Sequence, residues 1–443
     1  MSLRPNILYL NSHDTGRYIQ PYGHAVPTPT LQKLAEEGVL FRQAYCASPT
    51  CSPSRSALLT GQAPHSNGML GLAHLGFALH DYRQHWLHTF RAAGYETTLI
   101  GLQHIATDPQ VIGYDRIVPV PDFHASQVAP SVADFLSQQP KEPFYLEVGL
   151  EETHRDFFQP GETEDARYTL PPAPLPDAPE IRQDMAAFKA SARNLDNGVK
   201  TVLETLETNG LADNTLVIST TDHGIAFPRM KCTLYDSGLG ISLIMRGPGG
   251  FRGGRVIDAL VSQVDLFPTL CELLEIERPA WLQGRSLMPL VREETEEVNP
   301  AIFGEITYHV AYDAQRAIRT HQWKYIRRFD DRDRPVLVNI DASPSKEYWL
   351  KDGWADKNIP SEQLYDLVFD PNEGNNLAND PRYSQVRDDL NRRLLAWMEA
   401  TGDPLLQGPV PIPPGGVGLI QSPDDRDVGN RVKSIFDKEN PQK

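Results

Sequence analysis

Four short apolar runs in this 443-residue chain are each followed at once by a histidine in polar company. Residues 7–10 lead into Asn11-Ser12-His13-Asp14-Thr15-Gly16, and residues 97–100 into Gly101-Leu102-Gln103-His104. Residues 144–148 lead to Glu151-Glu152-Thr153-His154-Arg155, and residues 216–218 to Thr221-Asp222-His223-Gly224. Two of the four set an aspartate beside the histidine. Carboxylates and imidazoles converging on one point are the donors a divalent metal site needs. Taken singly, each His-Asp pair also reads as a solvated turn with the aspartate as a helix cap. His104, taken singly, reads equally as a histidine bonded to backbone. Agreement among four strand ends favours the site.

A sharper signal is Cys51-Ser52-Pro53-Ser54-Arg55, followed by the helix-like Ser56-Ala57-Leu58-Leu59-Thr60-Gly61. A thiol at a helix N-terminus beside an arginine has backbone N–H groups ready for an anion. The plainer alternative is a buried structural cysteine ahead of a helix. Cys46, Cys232 and Cys271 add neither zinc-knuckle spacing nor a disulfide framework, so cysteine chemistry falls to a single residue.

The elements that must position these residues alternate between β-rich runs, a fifth lying at 241–244, and helices. That pattern is an α/β protein with a large mixed, mostly parallel sheet flanked by helices, whose active sites form outside the carboxyl ends of the strands. One helix is expected over about 181–206, where Met185, Phe188, Ala192, Leu195, Val199, Val202 and Leu206 recur at helical spacing. Another begins at Thr28 or Thr30 and stops at Gly38. Beyond about Pro300 the texture changes to strand-like pieces at 323–326 and 364–367 and an amphipathic helix carrying Val386, Leu390, Leu394 and Trp397. The expected organisation is a catalytic domain over 1–300, a smaller α+β domain over 301–402, and a Pro/Gly-rich extended arm over 403–443 that could wrap a neighbouring subunit.

Composition narrows the class. With 40% hydrophobic, 23% charged and 9% aromatic residues the chain is an ordinary globular protein. Its 42 basic against 58 acidic residues give a net charge of −16, which repels a phosphate backbone and argues against nucleic acid as a partner. No apolar stretch approaches membrane-span length. The N-terminal residues lack the apolar core of a signal peptide, so a cytoplasmic location is expected.

Cys51-Ser52-Pro53-Ser54-Arg55 with Leu58-Leu59-Thr60-Gly61 resembles the signature of the sulfatase family, formylglycine enzymes of the alkaline-phosphatase-like superfamily. The likeness covers nearly the whole chain. Thr28-Pro29-Thr30-Leu31 through Gly38-Val39-Leu40-Phe41 resembles the family's first helix, 216–224 its second metal-binding strand end, and Leu364-Tyr365-Asp366 with Asp370-Pro371-Asn372-Glu373 its C-terminal domain. Asn376-Leu377-Ala378, Asp380-Pro381-Arg382, Trp397, and Phe227-Pro228 before Thr233-Leu234-Tyr235 are most similar to the sulfamidase (heparan N-sulfatase) branch.

The resemblance implies that a formylglycine-generating enzyme oxidises Cys51, and that Asp14, Asp222 and the modified Cys51 hold a divalent metal, with His13 and His223 in the neighbouring ligand positions. It gives Arg55 the formylglycine hydroxyl, His104 a part in sulfate release, His154 the leaving-group oxygen or nitrogen, and Lys231 the sulfate. A hydrated aldehyde carries two hydroxyls, one to attack sulfur and one to permit elimination. A serine would have only the first.

Three positions depart from the commonest family pattern. His13-Asp14 stands for Asp-Asp, Asp222-His223 for Asp-Asn, and Leu102 for a lysine. Calcium is the family's ion, whereas imidazoles favour zinc, manganese or iron. The implied reaction is hydrolysis of a sulfate ester or sulfamate, with a small molecule or saccharide as substrate and with Arg155, His309 and Arg316 as candidate pocket residues. The Asp-His ending also resembles phosphonate monoester hydrolases. Phosphonate or phosphate ester hydrolysis, and non-catalytic anion binding should Cys51 stay a thiol, are therefore the alternatives.

Overall fold

The computed structural model describes residues 4–418. Eight strands form the main sheet: β1 (Asn6–Ser12), β2 (Val39–Tyr45), β3 (Glu96–Gly101), β4 (Arg116–Val118), β5 (Phe144–Gly149), β6 (Thr215–Thr221), β7 (Leu243–Arg246) and β8 (Arg255–Ser262). Their order is β4-β3-β5-β1-β6-β7-β2-β8, parallel except for β7, which runs antiparallel to β6 and β2. β1, β5 and β6 are buried along their whole length, as expected of strands covered on both faces. Alternate residues of β1 enter different cores: Ile7 and Tyr9 join one apolar cluster, Leu8 and Leu10 the other. The helix Pro179–Thr208 covers the second face, burying Leu195, Val199 and Val202.

The expected runs at 7–10, 97–100, 144–148 and 216–218 lie inside β1, β3, β5 and β6, while the run at 241–244 meets β7 two residues early. The four histidine-bearing strands are neighbours, in the order β3-β5-β1-β6. In register, Gly101 pairs with Gly149, Gly149 with Asn11, and Ser12 with Thr221, so all four strands end on one line. Gly149 must be glycine, because a Cβ there would overlap the Leu102 carbonyl.

Four further strands, β9 (Ile302–Tyr308), β10 (Tyr312–Arg319), β11 (Trp323–Arg328) and β12 (Glu362–Asp366), form an antiparallel sheet in the order β12-β11-β10-β9. The helix Ser384–Thr401 packs on it, burying Leu390, Leu394 and Met398. This sheet shares the larger apolar cluster with the main one. The chain between β11 and β12 makes a long excursion whose helix Pro344–Lys351 lies against Pro179–Thr208.

Residues 403–418 do not stand away as an arm. Asp403 is buried on Arg316, the Val410 carbonyl accepts from Tyr308 Oη at 2.7 Å, and Val417 N donates to the Leu75 carbonyl at 2.8 Å. The rest of the expected arm, 419–443, lies outside the described residues. No described helix is long and apolar enough to cross a membrane.

Candidate active site

Cys51 is the first residue of the helix Cys51–Thr60, which Gly61 ends in the left-handed conformation. Every residue of that helix is buried. One turn further on, Arg55 projects from the same face as Cys51. Its Nε donates to Asp222 Oδ2 at 3.1 Å, and its Nη1 reaches the Asn11 side-chain oxygen at 2.9 Å, which also accepts from Tyr9 Oη at 3.1 Å. Gln263 Nε2 donates to the Thr221 carbonyl at 2.9 Å, bracing the strand end that carries Asp222.

Around the sulfur the predicted ligands converge. One donor atom each of His13, Asp14, Cys51 and Asp222 lies within 4.8 Å of the others, and His13, Cys51 and His104 meet the same condition. His13 Nε2 stands 3.2 Å from Cys51 Sγ and 3.4 Å from Asp222 Oδ2. His223 Nε2 is 3.4 Å from Cys51 Sγ and 3.3 Å from Asp14 Oδ1. Asp14 and His104 are held at φ of 55° and 60°, a conformation unusual for residues with a Cβ and one found at functional sites.

These residues fit a metal. Asp14 Oδ1 is buried without a hydrogen-bond partner among the described residues, an expensive arrangement unless a cation meets it. His223 Nδ1 lies 3.0 Å from the Gly224 carbonyl, which can only accept. Nδ1 therefore carries a hydrogen, and Nε2 is the ring nitrogen that faces the site and would be the ligand atom. Burial pushes His13 and His104 well below the ordinary imidazole value, keeping both neutral. Burial pushes the Cys51 thiol well above its usual range, so as a plain cysteine it is a poor nucleophile.

Lys231 Nζ donates to Asp14 Oδ2 at 2.7 Å and stands 3.4 Å from His154 Nε2. Burial alone would lower this ammonium, but Asp14 and Asp341 outweigh it and hold Lys231 well above its ordinary value. His154 Nδ1 gives its hydrogen to the Arg155 carbonyl at 2.5 Å, which turns Nε2 toward the pocket.

Two candidate pocket residues are engaged elsewhere. Arg316 is fully buried, with Nε and Nη2 on Asp403 and Nη1 on the Ile306 and Gln315 carbonyls, so it serves the fold rather than an open pocket. Arg155 forms a two-point pair with Asp184 at 2.7 Å per bond, gives Nε to the Ala226 carbonyl, and lies over the Phe157 and Phe227 rings. It is a brace under the His154 loop. His309 stays near the site, within electrostatic reach of Lys231 and His223. Two residues the sequence did not single out are present: Asp341, 3.2 Å from Lys231 Nζ, and His74, whose ring stacks on His104 at 5.6 Å. Both follow apolar stretches, Val336-Leu337-Val338-Asn339-Ile340 before Asp341 and Met69-Leu70-Gly71-Leu72-Ala73 before His74, but neither stretch is a strand of the main sheet.

The Sulfatase family model matches residues 5–276, well over half of the chain. The chain belongs to the sulfatase family. It is therefore a sulfuric ester hydrolase. The model for the C-terminal part of N-sulphoglucosamine sulphohydrolase matches residues 223–359 of this sulfatase. An ulvan-active sulfatase of Formosa agariphila is 31% identical, over 93% of this chain and 84% of its own length. Human N-sulphoglucosamine sulphohydrolase is 30% identical, over 91% and 92%. Among solved structures, a 2-O GAG sulfatase superposes with a TM-score of 0.72 at 21% identity, covering 96% of this chain and all of its own. This last likeness speaks to the fold alone.

Proposed function

We propose that this sulfatase cleaves a saccharide sulfate ester or sulfamate by means of a divalent metal and a formylglycine made from Cys51. The observation that carries the proposal is the place of Cys51: its sulfur stands where two imidazoles and two carboxylates meet, at the start of a buried helix. The metal would sit among Asp14, Asp222, His13, His223 and residue 51. Bound there, it would supply charge against the transferring anion, and hydrated formylglycine would supply the attacking hydroxyl.

The chain's own residues do the rest. Lys231 holds a sulfate oxygen and offsets charge on the transferring group. Arg55, fixed from both sides by Asp222 and Asn11, keeps a cation behind residue 51. His154 Nε2, turned into the pocket beside Lys231, carries the proton to the departing oxygen or nitrogen. His104, neutral through burial, is the base on the residue-51 side. The names of the relatives, among them N-sulphoglucosamine sulphohydrolase and Delta 4,5-hexuronate-2-O-sulfatase, support a sugar as the leaving group.

The test is a mass spectrum of the Cys51 peptide from protein made alongside a formylglycine-generating enzyme, paired with assays of Cys51→Ala and Cys46→Ala. Formylglycine at position 51, no turnover in Cys51→Ala and retained turnover in Cys46→Ala are expected. An unmodified thiol in fully active protein would overturn the mechanism.

A further inference from the structure

Two connections of the second sheet approach the candidate active site. The β9–β10 turn carries His309, and the excursion between β11 and β12 carries Asp341. Asn339 staples the two together: its side-chain oxygen accepts from Val310 N at 3.0 Å and Ala311 N at 2.8 Å, and its amide donates to the Ala311 carbonyl at 3.2 Å. Lys346 Nζ ties down the same segment through the Leu337 and Ile340 carbonyls at 2.7 and 2.8 Å. Asp341 is thus presented on a rigid frame, as a specificity group needs to be.

Its position is equally defined. Asp341 Oδ2 is 3.2 Å from Lys231 Nζ, with the aspartate side chain 23% exposed and the lysine 2%. The carboxylate therefore stands between the buried lysine and solvent, at the rim of the candidate site. His309 is 7% exposed, and its Nδ1 has no hydrogen-bond partner among the described residues. Burial pushes its imidazole down to about 3, so the ring is neutral. A buried, unpartnered ring nitrogen within electrostatic reach of a partly exposed carboxylate is an incomplete hydrogen-bonding set.

We propose that Asp341 and His309 form the leaving-group subsite, which selects a sulfated sugar bearing a free hydroxyl or amino hydrogen beside the scissile sulfate and rejects one bearing a second anion there. The subsite rests on the sulfatase mechanism proposed above. A hydroxyl or amine donates to Asp341 in a charge-assisted bond. A ligand carboxylate or second sulfate would instead meet a like charge in a partly desolvated place. Lys231 cannot offset that repulsion, because Asp14 shares it.

The experiment compares kcat/KM for N-sulphoglucosamine, N-sulphoglucosamine carrying a second sulfate on O3, and 4-nitrophenyl sulfate in wild type, Asp341→Asn and His309→Gln. Calorimetric titration with glucosamine accompanies each protein. Preference for N-sulphoglucosamine over its 3-sulfated form should fall about tenfold or more in Asp341→Asn, mostly through KM, with a smaller fall in His309→Gln. Glucosamine affinity should fall about fivefold or more in both. An unchanged preference in Asp341→Asn, or equal glucosamine affinity in all three proteins, overturns the subsite. Failure of the wild type to release sulfate from any of the three substrates overturns the sulfatase mechanism instead, and the glucosamine titrations still decide the subsite.

Discussion

A histidine that gives one ring nitrogen to a carbonyl has fixed what the other can do. His223 spends its Nδ1 hydrogen on Gly224 and so brings Nε2 to Asp14 and Cys51, where an oxygen-seeking ion gains little from it. Purified protein should therefore carry zinc, manganese or iron. After chelation these ions should restore turnover and raise the melting temperature, since a metal that binds only the folded chain stabilises it. Restoration by calcium alone would show that the imidazoles do not choose the ion. The Arg155 carbonyl takes the Nδ1 hydrogen of His154 in the same way, so the proton His154 would pass on as an acid is one carried at Nε2. Across a series of sulfate esters, His154→Ala should lose most rate on the poorest leaving groups, and an equal loss along the series would remove it as the acid. Lys231→Ala leaves Asp14 buried without its cation. It should weaken inorganic sulfate binding and destabilise the fold by about 3 kcal/mol in urea unfolding, and unchanged sulfate affinity would remove Lys231 from the anion site.

At the scale of elements, the sequence made the four central strands legible because strands covered on both faces must be apolar throughout, and the polar residue that ends each one stands out. β4 has three residues, and β8 is an edge strand with polar and exposed positions at its start, so neither announces itself. The convergence of His13, Asp14, Cys51 and Asp222 was legible for the same reason as the strands. Asp341 was not, because it reaches Lys231 from an excursion within the second sheet. Arg316 misleads for a related reason: an arginine on a strand looks alike whether it faces a substrate or a buried acid, and its acid lies 87 residues away. That pair, joined by Glu305 and His65, ties the end of the helix Ser384–Thr401 to the short helix Pro64–Asn67, which follows the helix Cys51–Thr60. Both partners are wholly buried, so Asp403→Ala should cost about 3–5 kcal/mol in urea unfolding, whereas the double replacement Arg316→Met with Asp403→Leu should recover much of it. A single-variant loss below about 1 kcal/mol would show that the clamp carries little of the fold's stability.

Over the whole molecule, electrostatics set the site against its surroundings. The chain carries a net charge of −16, and its substrate is an anion. The cations proposed to meet the sulfate are buried and already paired, Arg55 with Asp222 and Lys231 with Asp14 and Asp341. They act at contact distance and project little field into solvent, so the approach of a sulfated ligand is governed by the acidic exterior. A monosulfated sugar feels that repulsion once. An oligosaccharide with several sulfates feels it at every group, and only one of those groups reaches Lys231. Raising ionic strength from about 10 mM to about 150 mM shortens the screening length from about 30 Å to about 8 Å. The kcat/KM for a heparin-like oligosaccharide should therefore rise several-fold over that range, while the value for N-sulphoglucosamine changes by less than about twofold. A fall with salt for the oligosaccharide would mean that a basic surface outside the pocket gathers polymeric substrate, and the enzyme would then belong on chains rather than on their small fragments.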